Sequence, residues 1–333
     1  MNKIRIGIIC PSEIAFRRFM PAIKKVDEME YVGVAVASKT EWNGNASDDL
    51  IDKEMKKAET FNESYGGKIY ESYTSLIESK DVDAIYLPLP PALHYQWAKK
   101  ALEQGKHVFL EKPSTTCLGD TTSLINLAKK KNLALHENYM FAYHAQIGEI
   151  KRLIETKEIG ELRLIRAAFG FPRRSANDFR YKKKLGGGAL LDCGGYPVKL
   201  MQLLLGDVKV DSANLYYEND IDLYGAVQLS SKDATAQISF GMDNSYKCEL
   251  EIWGSKGIIY TGRVFTAPEG METKIQVKTN DGQREIIVGG DDSFRKSIEF
   301  FYNCIRNKSN RKSNYEKILN QIIIIENIKK GVN

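Results

Sequence analysis

The segment LLDCGGYP places a carboxyl group and a phenol at helical spacing. Asp192 precedes Tyr196 by four residues, so on a helix both side chains project from the same face. A phenol with its ordinary pKa of about 10 is a weak base at neutral pH, but a nearby ammonium group favours the phenolate. The spacing therefore predicts acid/base chemistry, with a packing role for the tyrosine as the alternative. Because Pro197 follows directly, a bend in the helix would redirect Tyr196.

The N-terminal stretch GIICPSEIA has the strand, turn and helix arrangement of a dinucleotide-binding site but lacks its glycines. The fingerprint positions are Cys10, Ser12 and Ala15, of which only the last keeps a permitted small residue. A serine hydroxyl can donate to a phosphate oxygen, and helix N–H groups still face an anion, whereas the carboxylate of Glu13 opposes one. We expect Cys10, Ser12, Glu13 and Ile14 to line a reshaped cofactor turn, with a decayed site as the alternative.

The end of the second predicted strand indicates which nicotinamide cofactor binds. An acidic residue there would accept the ribose 2′-hydroxyl of NAD, but VAVASKTEW places Ser38, Lys39 and Thr40 at this position. A cation with neighbouring hydroxyls suits a 2′-phosphate. We therefore expect NADP(H) to be preferred and NAD(H) to remain possible. The alternative for Lys39 is a solvated loop lysine.

A basic segment, PRRSANDFRYKKKLGGG, leads into the helix that carries Asp192 and Tyr196. Its six cations, against the single acid Asp178, are Arg173, Arg174, Arg180, Lys182, Lys183 and Lys184. Such a run is commonly a solvated loop. The alternative is a clamp for the diphosphate of a sugar nucleotide, in which arginine donates bidentate hydrogen bonds. Arg180 is the candidate we favour for that contact.

Composition excludes several classes of protein. The 333 residues contain 48 Lys and Arg against 43 Asp and Glu, and a net charge of +5 argues against a dedicated nucleic-acid-binding protein. The five cysteines are widely spaced, which is typical of reduced thiols in the cytoplasm. No apolar run reaches the roughly 18 residues that a membrane span needs, and no signal peptide is recognisable. The four histidines are scattered, so we predict no metal site.

The predicted order of strands and helices changes along the chain. In the first part, IRIGII, YVGVAVA, DAIYLPL, HVFLEK and LALHENY alternate with helical segments near 93–104 and 119–131, which predicts a doubly wound parallel sheet. From about Leu162, six β-rich runs follow with one helix near 189–204, which predicts a large, mostly antiparallel open sheet. We predict an α/β Rossmann domain at 1–120 and an α+β substrate-binding and oligomerisation domain at 121–333. The helix-free face of that sheet predicts a homodimer or homotetramer.

Three segments carry a resemblance to a known family. LPLPPALHYQWAKKALEQGKHVFLEKP, ENYMFAYHAQIGEIKRLIETKEIGELR and LGGGALLDCGGYPVKLMQLLLG resemble, in order and spacing, the signature blocks of the Gfo/Idh/MocA oxidoreductases. The resemblance extends through essentially the whole chain. The tyrosine in DCGGYP resembles the branch that contains sugar-nucleotide 3-ketoreductases and dihydrodiol or xylose dehydrogenases, in which tyrosine replaces the histidine that is commoner in the family.

The resemblance implies roles for individual residues. Lys112 would hydrogen-bond the reacting oxygen and Tyr196 would act as acid/base, while Asp192 would bind a substrate hydroxyl or orient the acid/base group. Lys199 stands where many relatives have an aspartate that binds substrate, so the sugar stays unidentified. The residues implied in cofactor contacts are Pro88, His94, Glu111 and Lys112.

The function that follows is hydride transfer between a nicotinamide and a secondary alcohol or ketone of a sugar, plausibly a nucleotide-activated keto sugar. Two alternatives remain at this point. The missing glycines suggest a non-catalytic sugar or nucleotide sensor on the same fold. A glycosidase that retains NAD is the other, although Ser38, Lys39 and Thr40 favour NADP.

Overall fold

A computed structural model describes residues 3–42 and 46–331 of the chain. The chain divides into two compact units. The first unit runs to Asn138 and also includes Phe294–Leu319, and the second comprises Tyr139–Ser293 and the residues from Asn320 onwards.

The first unit is built on a six-stranded sheet whose strands are all parallel. The strands are β1 (Ile4–Ile9), β2 (Met29–Ala35), β3 (Lys68–Tyr70), β4 (Ala84–Leu87), β5 (His107–Glu111) and β6 (Leu135–Asn138). Their order is β3-β2-β1-β4-β5-β6, the order of dinucleotide-binding folds, whose ligands lie outside the carboxyl ends of the strands. Strands covered on both faces become continuous apolar runs, as in β4, where all four residues are buried.

Helices connect these strands. They are α1 (Met20–Ile23), α2 (Asp48–Tyr65), α3 (Tyr73–Glu78), α4 (Pro91–Glu103) and α5 (Leu118–Lys131). At two helix starts, a serine hydroxyl accepts a hydrogen bond from a backbone N–H that has no partner within the helix. These serines are Ser47 before α2 and Ser72 before α3. Asn132 ends α5 in the left-handed conformation. The expected helices near 93–104 and 119–131 are therefore confirmed as α4 and α5.

The second unit contains an eight-stranded sheet. Its strands are β7 (Leu162–Gly170), β8 (Lys209–Glu218), β9 (Ile221–Ser230), β10 (Thr235–Gly241), β11 (Lys247–Gly254), β12 (Gly257–Gly262), β13 (Thr273–Thr279) and β14 (Gly282–Val288). Only the β7–β10 pairing is parallel. Alternating burial along β9 and β10 shows one covered and one open face. The predicted fold class, a Rossmann domain followed by a mostly antiparallel sheet, is confirmed.

Four further helices complete the chain: α6 (Ala145–Glu155), α7 (Gly195–Leu205), α8 (Ser293–Arg306) and α9 (Lys308–Lys330). A π-helical turn, Leu190–Gly194, leads directly into α7. Another, Ala15–Phe19, leads into α1. Single π-turns inside helices are often found at functional sites, and these two fall on the segments that the sequence analysis singled out.

The structure differs from the sequence prediction in two respects. The expected boundary at residue 120 lies inside α5, whereas the two units divide after Asn138, because β6 adds a sixth strand to the parallel sheet. The sequence analysis also did not name β13 and β14. The alternation in TKIQVKT and the turn residues Asn280 and Asp281 before Gly282 are the signals of this hairpin.

Candidate functional site

The turn after β1 retains a glycine-like conformation without a glycine. Cys10 has a φ of 76°, in the left-handed region that residues with a Cβ rarely adopt. Its N–H donates to the carbonyl of Ala35, and its own carbonyl accepts from the N–H of Ser12. Burial raises the pKa of the Cys10 thiol to about 12, so the side chain is a neutral group in this turn. The turn geometry survives the loss of the glycine.

Ser12 begins the helix that follows this turn. Its Oγ accepts a hydrogen bond from the N–H of Ala15 at 3.2 Å, as an N-cap does, and the hydroxyl proton is left to donate elsewhere. The carboxylate of Glu13 pairs with Arg17 at 2.6 Å, so an exposed cation from the same helix offsets the charge that opposed a diphosphate. The sequence analysis missed this role of Arg17, although the spacing of four was a readable signal. Ile14 is exposed at 38%.

The segment after β2 has two hydroxyls side by side. Ser38 Oγ and Thr40 Oγ1 lie 3.2 Å apart, and both are at least partly exposed. The carboxylate of Glu41 is already occupied by backbone donors: it accepts hydrogen bonds from the N–H groups of Ser38, Tyr73 and Thr74. These hydrogen bonds outweigh burial and lower the pKa of Glu41.

Lys39 forms an exposed ion pair with Asp48 at the start of α2. An exposed ion pair of this kind contributes little to stability, so a phosphate can compete with Asp48 for the ammonium group of Lys39. Together with the Cys10 turn and the following helix start, this segment supplies hydroxyl, cation and N–H donors that fit a dinucleotide with a 2′-phosphate.

Lys112 follows the end of β5, and the Lys112–Pro113 peptide is cis. Beside it, Glu111 Oε1 accepts hydrogen bonds from the Tyr86 hydroxyl at 2.7 Å and from Nδ2 of Asn138 at 2.8 Å. Burial raises the pKa of Glu111, although these bonds and the charge of Lys112 oppose that shift. The carboxylate is therefore fixed by the ends of β4 and β6.

His94 is fully buried on α4, with both ring nitrogens on backbone carbonyls. Nδ1 lies 2.8 Å from the Pro113 oxygen and Nε2 lies 2.8 Å from the Leu89 oxygen. The imidazole therefore braces the loop after Lys112 against the loop after β4. The cofactor contact that the resemblance implied for His94 stays a prediction, and a contact made by a ring nitrogen would require that nitrogen to leave its carbonyl. Pro88 is also buried, directly after β4.

In the second unit, Asp192 lies on the π-helical turn before α7, and its side chain is 10% exposed. Arg180 donates from Nε to Asp192 Oδ2 at 2.7 Å, and its Nη1 lies 3.1 Å from Asp178 Oδ1. The guanidinium also lies over the Phe179 ring. Two carboxylates thus neutralise Arg180, which the sequence analysis named as the favoured candidate for a diphosphate clamp.

Other cations of the basic segment are also paired. Arg173 contacts Glu218 and Asp243, each at 3.0 Å, and Lys183 lies 3.6 Å from Asp220. Arg174 lies over the Phe171 ring. The segment therefore resembles a charge-matched surface loop more closely than an open cluster of cations.

Tyr196, in the first turn of α7, is 8% exposed and lies among aromatic rings. The ring centroids of Phe169, Tyr139 and Phe141 are 5.1 to 5.6 Å from its own. Pro197 lies within the first turn, and α7 continues unbroken to Leu205. Lys199, 8% exposed, places its ammonium group 5.6 Å from the Tyr139 ring centroid. The Asp192 turn and Tyr196 belong to one continuous helical segment, as the spacing argument required, and the shared face of the two side chains stays a prediction.

Asp222 on β9 is a residue that the sequence analysis did not single out. Its Oδ2 accepts the N–H of Leu190 at 2.6 Å, at the start of the π-helical turn. Burial raises the pKa of Asp222 to about 6. A Cβ on Gly188, whose φ is 122°, would collide with this carboxyl group. The run of three glycines before Asp192 was the available signal, because such a run predicts close approach of the backbone.

Within residues 3–42 and 46–331, no group of three or more His, Cys, Asp or Glu side chains is arranged to hold a metal ion. Over the same residues, no helix has both the length and the apolar character needed to cross a bilayer.

Two family models match the chain. The first, described as an oxidoreductase family with an NAD-binding Rossmann fold and labelled GFO/IDH/MocA, covers residues 5–139. The second, the GFO/IDH/MocA C-terminal domain, covers residues 147–260.

Relatives of similar length are known. A dTDP-3,4-didehydro-2,6-dideoxy-α-D-glucose 3-reductase of Saccharopolyspora spinosa is 38% identical over 91% of this chain and 88% of its own. The enzyme of the same name from Actinomadura kijaniata is 34% identical over 99% and 96%. A solved structure of KijD10, a 3-ketoreductase from Actinomadura kijaniata in complex with NADP and TDP-benzene, superposes with a TM-score of 0.90 at 33% identity, covering 99% of this chain and 98% of that one.

Two variants of KijD10 have also been crystallised. They alter a tyrosine and a lysine that lie 84 residues apart in that enzyme. Lys112 and Tyr196 are separated by the same number of residues.

Proposed function

Because the chain belongs to the GFO/IDH/MocA family of oxidoreductases, we propose that it reduces the ketone of a nucleotide-linked keto sugar with NADPH. The observation that carries this proposal is the match to dTDP-3,4-didehydro-2,6-dideoxy-α-D-glucose 3-reductases over nearly the full length of both chains. The proposed substrate class is accordingly a dTDP-linked 3-keto-6-deoxy sugar, and C3 is the proposed position of reduction.

The first unit has residues that fit NADP. When bound, this cofactor supplies the hydride. The N–H groups at the helix start after Cys10, with the Ser12 hydroxyl, would bind the diphosphate. Ser38, Lys39 and Thr40 would bind the 2′-phosphate, the ammonium group leaving Asp48 to do so.

Lys112 and Tyr196 would handle the oxygen of the reacting ketone. The ammonium group of Lys112 would stabilise the negative charge that develops on this oxygen, and the phenol of Tyr196 would supply its proton. The equal separation of the altered lysine and tyrosine in KijD10 supports this assignment. Glu111, held by Tyr86 and Asn138, would place its carboxyl group where it interacts electrostatically with Lys112.

Asp192 would orient the sugar by accepting a hydrogen bond from a hydroxyl. The ion pair with Arg180 compensates the charge of the nearly buried Asp192 carboxylate. Arg180 would then act on the substrate through Asp192, and exposed cations such as Lys182 and Lys184 would be the ones available for a diphosphate. Lys199 would line the same part of the second unit.

The experiment is a comparison of substrates and cofactors. NADPH consumption is measured with a dTDP-linked 3-keto-6-deoxy sugar, with the free keto sugar, and with NADH in place of NADPH. The proposal expects turnover with the nucleotide-linked sugar and NADPH, and a much higher KM for the free sugar. A Kd of about 1 mM corresponds to a binding free energy of only about −4 kcal/mol. If neither NADPH nor NADH binds even at about this concentration, the result favours the sensor over the oxidoreductase.

A homodimer or homotetramer through the open face of the eight-stranded sheet is part of this proposal. Small side chains, Ala168, Ala226 and Ser239, line the middle of that face, and Tyr216, Tyr224 and Trp253 are exposed. Aromatic side chains at a flat exposed face are typical of interfaces. Sedimentation at micromolar concentration should show an oligomer, and a monomer would contradict this part of the proposal. Five free cysteines support a reducing compartment such as the cytoplasm.

A further inference from the structure

A chain of buried polar side chains ends at Glu111. It begins with Asn314 on α9 and passes through His136 and Asn138 of β6 and through Ser297 of α8. His136, Asn138 and Ser297 are fully buried, and Asn314 is 4% exposed. Buried polar groups are strongly destabilising unless each one is paired, so a chain of them in the core of a domain calls for a functional explanation.

The hydrogen bonds of this chain have one consistent direction. Ser297 Oγ donates to Asn138 Oδ1 at 2.8 Å, which uses its only proton. His136 Nε2, 2.9 Å from Ser297 Oγ, must therefore be the donor in that contact. The other ring nitrogen, Nδ1, is then an acceptor and faces Nδ2 of Asn314 at 3.5 Å. This geometry assigns the neutral Nε2–H tautomer to His136.

At Glu111 these hydrogen bonds reach the backbone of Lys112. With its oxygen fixed by Ser297, the Asn138 amide turns Nδ2 toward Glu111 Oε1 at 2.8 Å. The same carboxylate group accepts the Tyr86 hydroxyl and the backbone N–H of Lys112. An amide that rotated by 180° would present its oxygen to the carboxylate, so Ser297 decides between an attractive and a repulsive contact.

We propose that Ser297 and His136 are positioning residues for the reaction, which fix the Glu111 carboxylate against the backbone N–H of Lys112 by holding the Asn138 amide in one orientation. This inference rests on the proposed role of Lys112. It extends that role to residues on β6 and α8, which come from distant parts of the sequence.

The test is a double-mutant cycle on kcat. Ser297→Ala should lower kcat about tenfold, because small misplacements of a reacting group have effects of this size or larger, while KM and the Kd for NADPH change less than about twofold. In a Lys112→Ala background, Ser297→Ala should cause no further loss, since both changes remove the same contribution. An additional tenfold loss in that background would show that Ser297 acts independently of Lys112 and would overturn the proposal.

Paired substitutions at His136 separate positioning from packing. His136→Gln keeps an N–H donor and should retain about half of the wild-type kcat. His136→Leu lacks a donor, so its kcat should be as low as that of Ser297→Ala. Equal kcat in the two variants would overturn the proposal.

Thr261→Val is the control: it removes another buried hydroxyl, which donates to the Lys274 carbonyl in the second unit, and should leave kcat unchanged. If Lys112→Ala itself retains full kcat, the proposed function fails first, and the cycle distinguishes that result from a failure at Ser297 alone.

Discussion

Arg180 donates from Nε to Oδ2 of Asp192 across 2.7 Å, so the basic segment places a cation on the turn before α7. Both side chains are largely buried, with exposures of 20% and 10%. A second carboxylate, that of Asp178, also contacts the guanidinium. Arg180 is therefore coupled through Asp192 to the helical segment that also carries Tyr196, and this coupling leads to the first prediction.

Replacing Arg180 with alanine should weaken the nucleotide-linked sugar and the free sugar equally, because the effect passes through Asp192. The uncompensated Asp192 charge should also lower the free energy of unfolding by about 3 kcal/mol. KM for both substrates and denaturant unfolding measure the two effects. Arg174→Ala, which removes an exposed cation over the Phe171 ring, is the matched control. A selective loss of the nucleotide-linked sugar would instead support a direct contact of Arg180 with the diphosphate.

Replacing Lys39 with alanine should raise the Kd for NADPH about tenfold and leave the Kd for NADH within about twofold, because only NADPH carries the phosphate that an ammonium group would bind. Fluorescence titration with both cofactors measures this. Lys57, which pairs with Glu54 on α2, gives a control lysine of similar exposure. Equal weakening of the two cofactors would exclude a contact between residue 39 and the 2′-phosphate.

Replacing Asp222 with asparagine should stabilise the protein more at about pH 8 than at about pH 5. Burial raises the pKa of Asp222 from 3.8 to about 6. The neutral carboxyl therefore contributes stability that is fully present below about pH 4 and is lost as the pH rises through about 6. Asparagine stays neutral and still accepts the Leu190 N–H, so its advantage should grow by about 1 kcal/mol between the two conditions.

Denaturant unfolding at both pH values measures this difference. Asp211→Asn, at an exposed carboxylate on the neighbouring strand β8, should show no such change. An advantage for the Asp222 variant that does not depend on pH would mean that its carboxyl titrates normally.

Replacing Gly188 with alanine should lower the free energy of unfolding by about 2 kcal/mol, because its φ of 122° and the nearby Asp222 carboxyl both exclude a side chain. Gly262→Ala, at a position in β12 with open space around it, should change stability by less than about 0.5 kcal/mol. Thermal or denaturant unfolding compares the two. Similar losses at both positions would show that the glycine run has no special geometry.

The fold could be predicted from the sequence because strand periodicity is local information. IRIGII and HVFLEK became β1 and β5 where the apolar runs indicated, and the DCGGYP segment became a helical turn leading into α7. The partners of Arg180, His94 and Glu111 could not be predicted in the same way. Whether a charged or polar side chain faces solvent or a buried partner depends on contacts between segments distant in sequence, as between Glu111 and Asn138.

The conformation of the glycine-poor turn could not be predicted from the sequence either. Cys10 adopts the left-handed conformation that the fingerprint glycine would adopt. Residue type alone left a decayed site as the alternative to a reshaped turn, because a non-glycine residue in this conformation is unfavourable by about 1 to 2 kcal/mol. The hydrogen bond from the Cys10 N–H to the carbonyl of Ala35, on the neighbouring strand β2, is not visible in the sequence.

The central claim is that Lys112 and Tyr196 carry out NADPH-dependent reduction of a nucleotide-linked keto sugar, and the most direct measurement is single-turnover NADPH oxidation by the wild type, Lys112→Ala and Tyr196→Phe. Each substitution should lower the rate of this step by about 10² or more, with the Kd for NADPH changed less than about twofold, because each removes acid/base or charge stabilisation without removing a phosphate contact. A Tyr196→Phe enzyme that oxidises NADPH within about twofold of the wild-type rate would contradict the account.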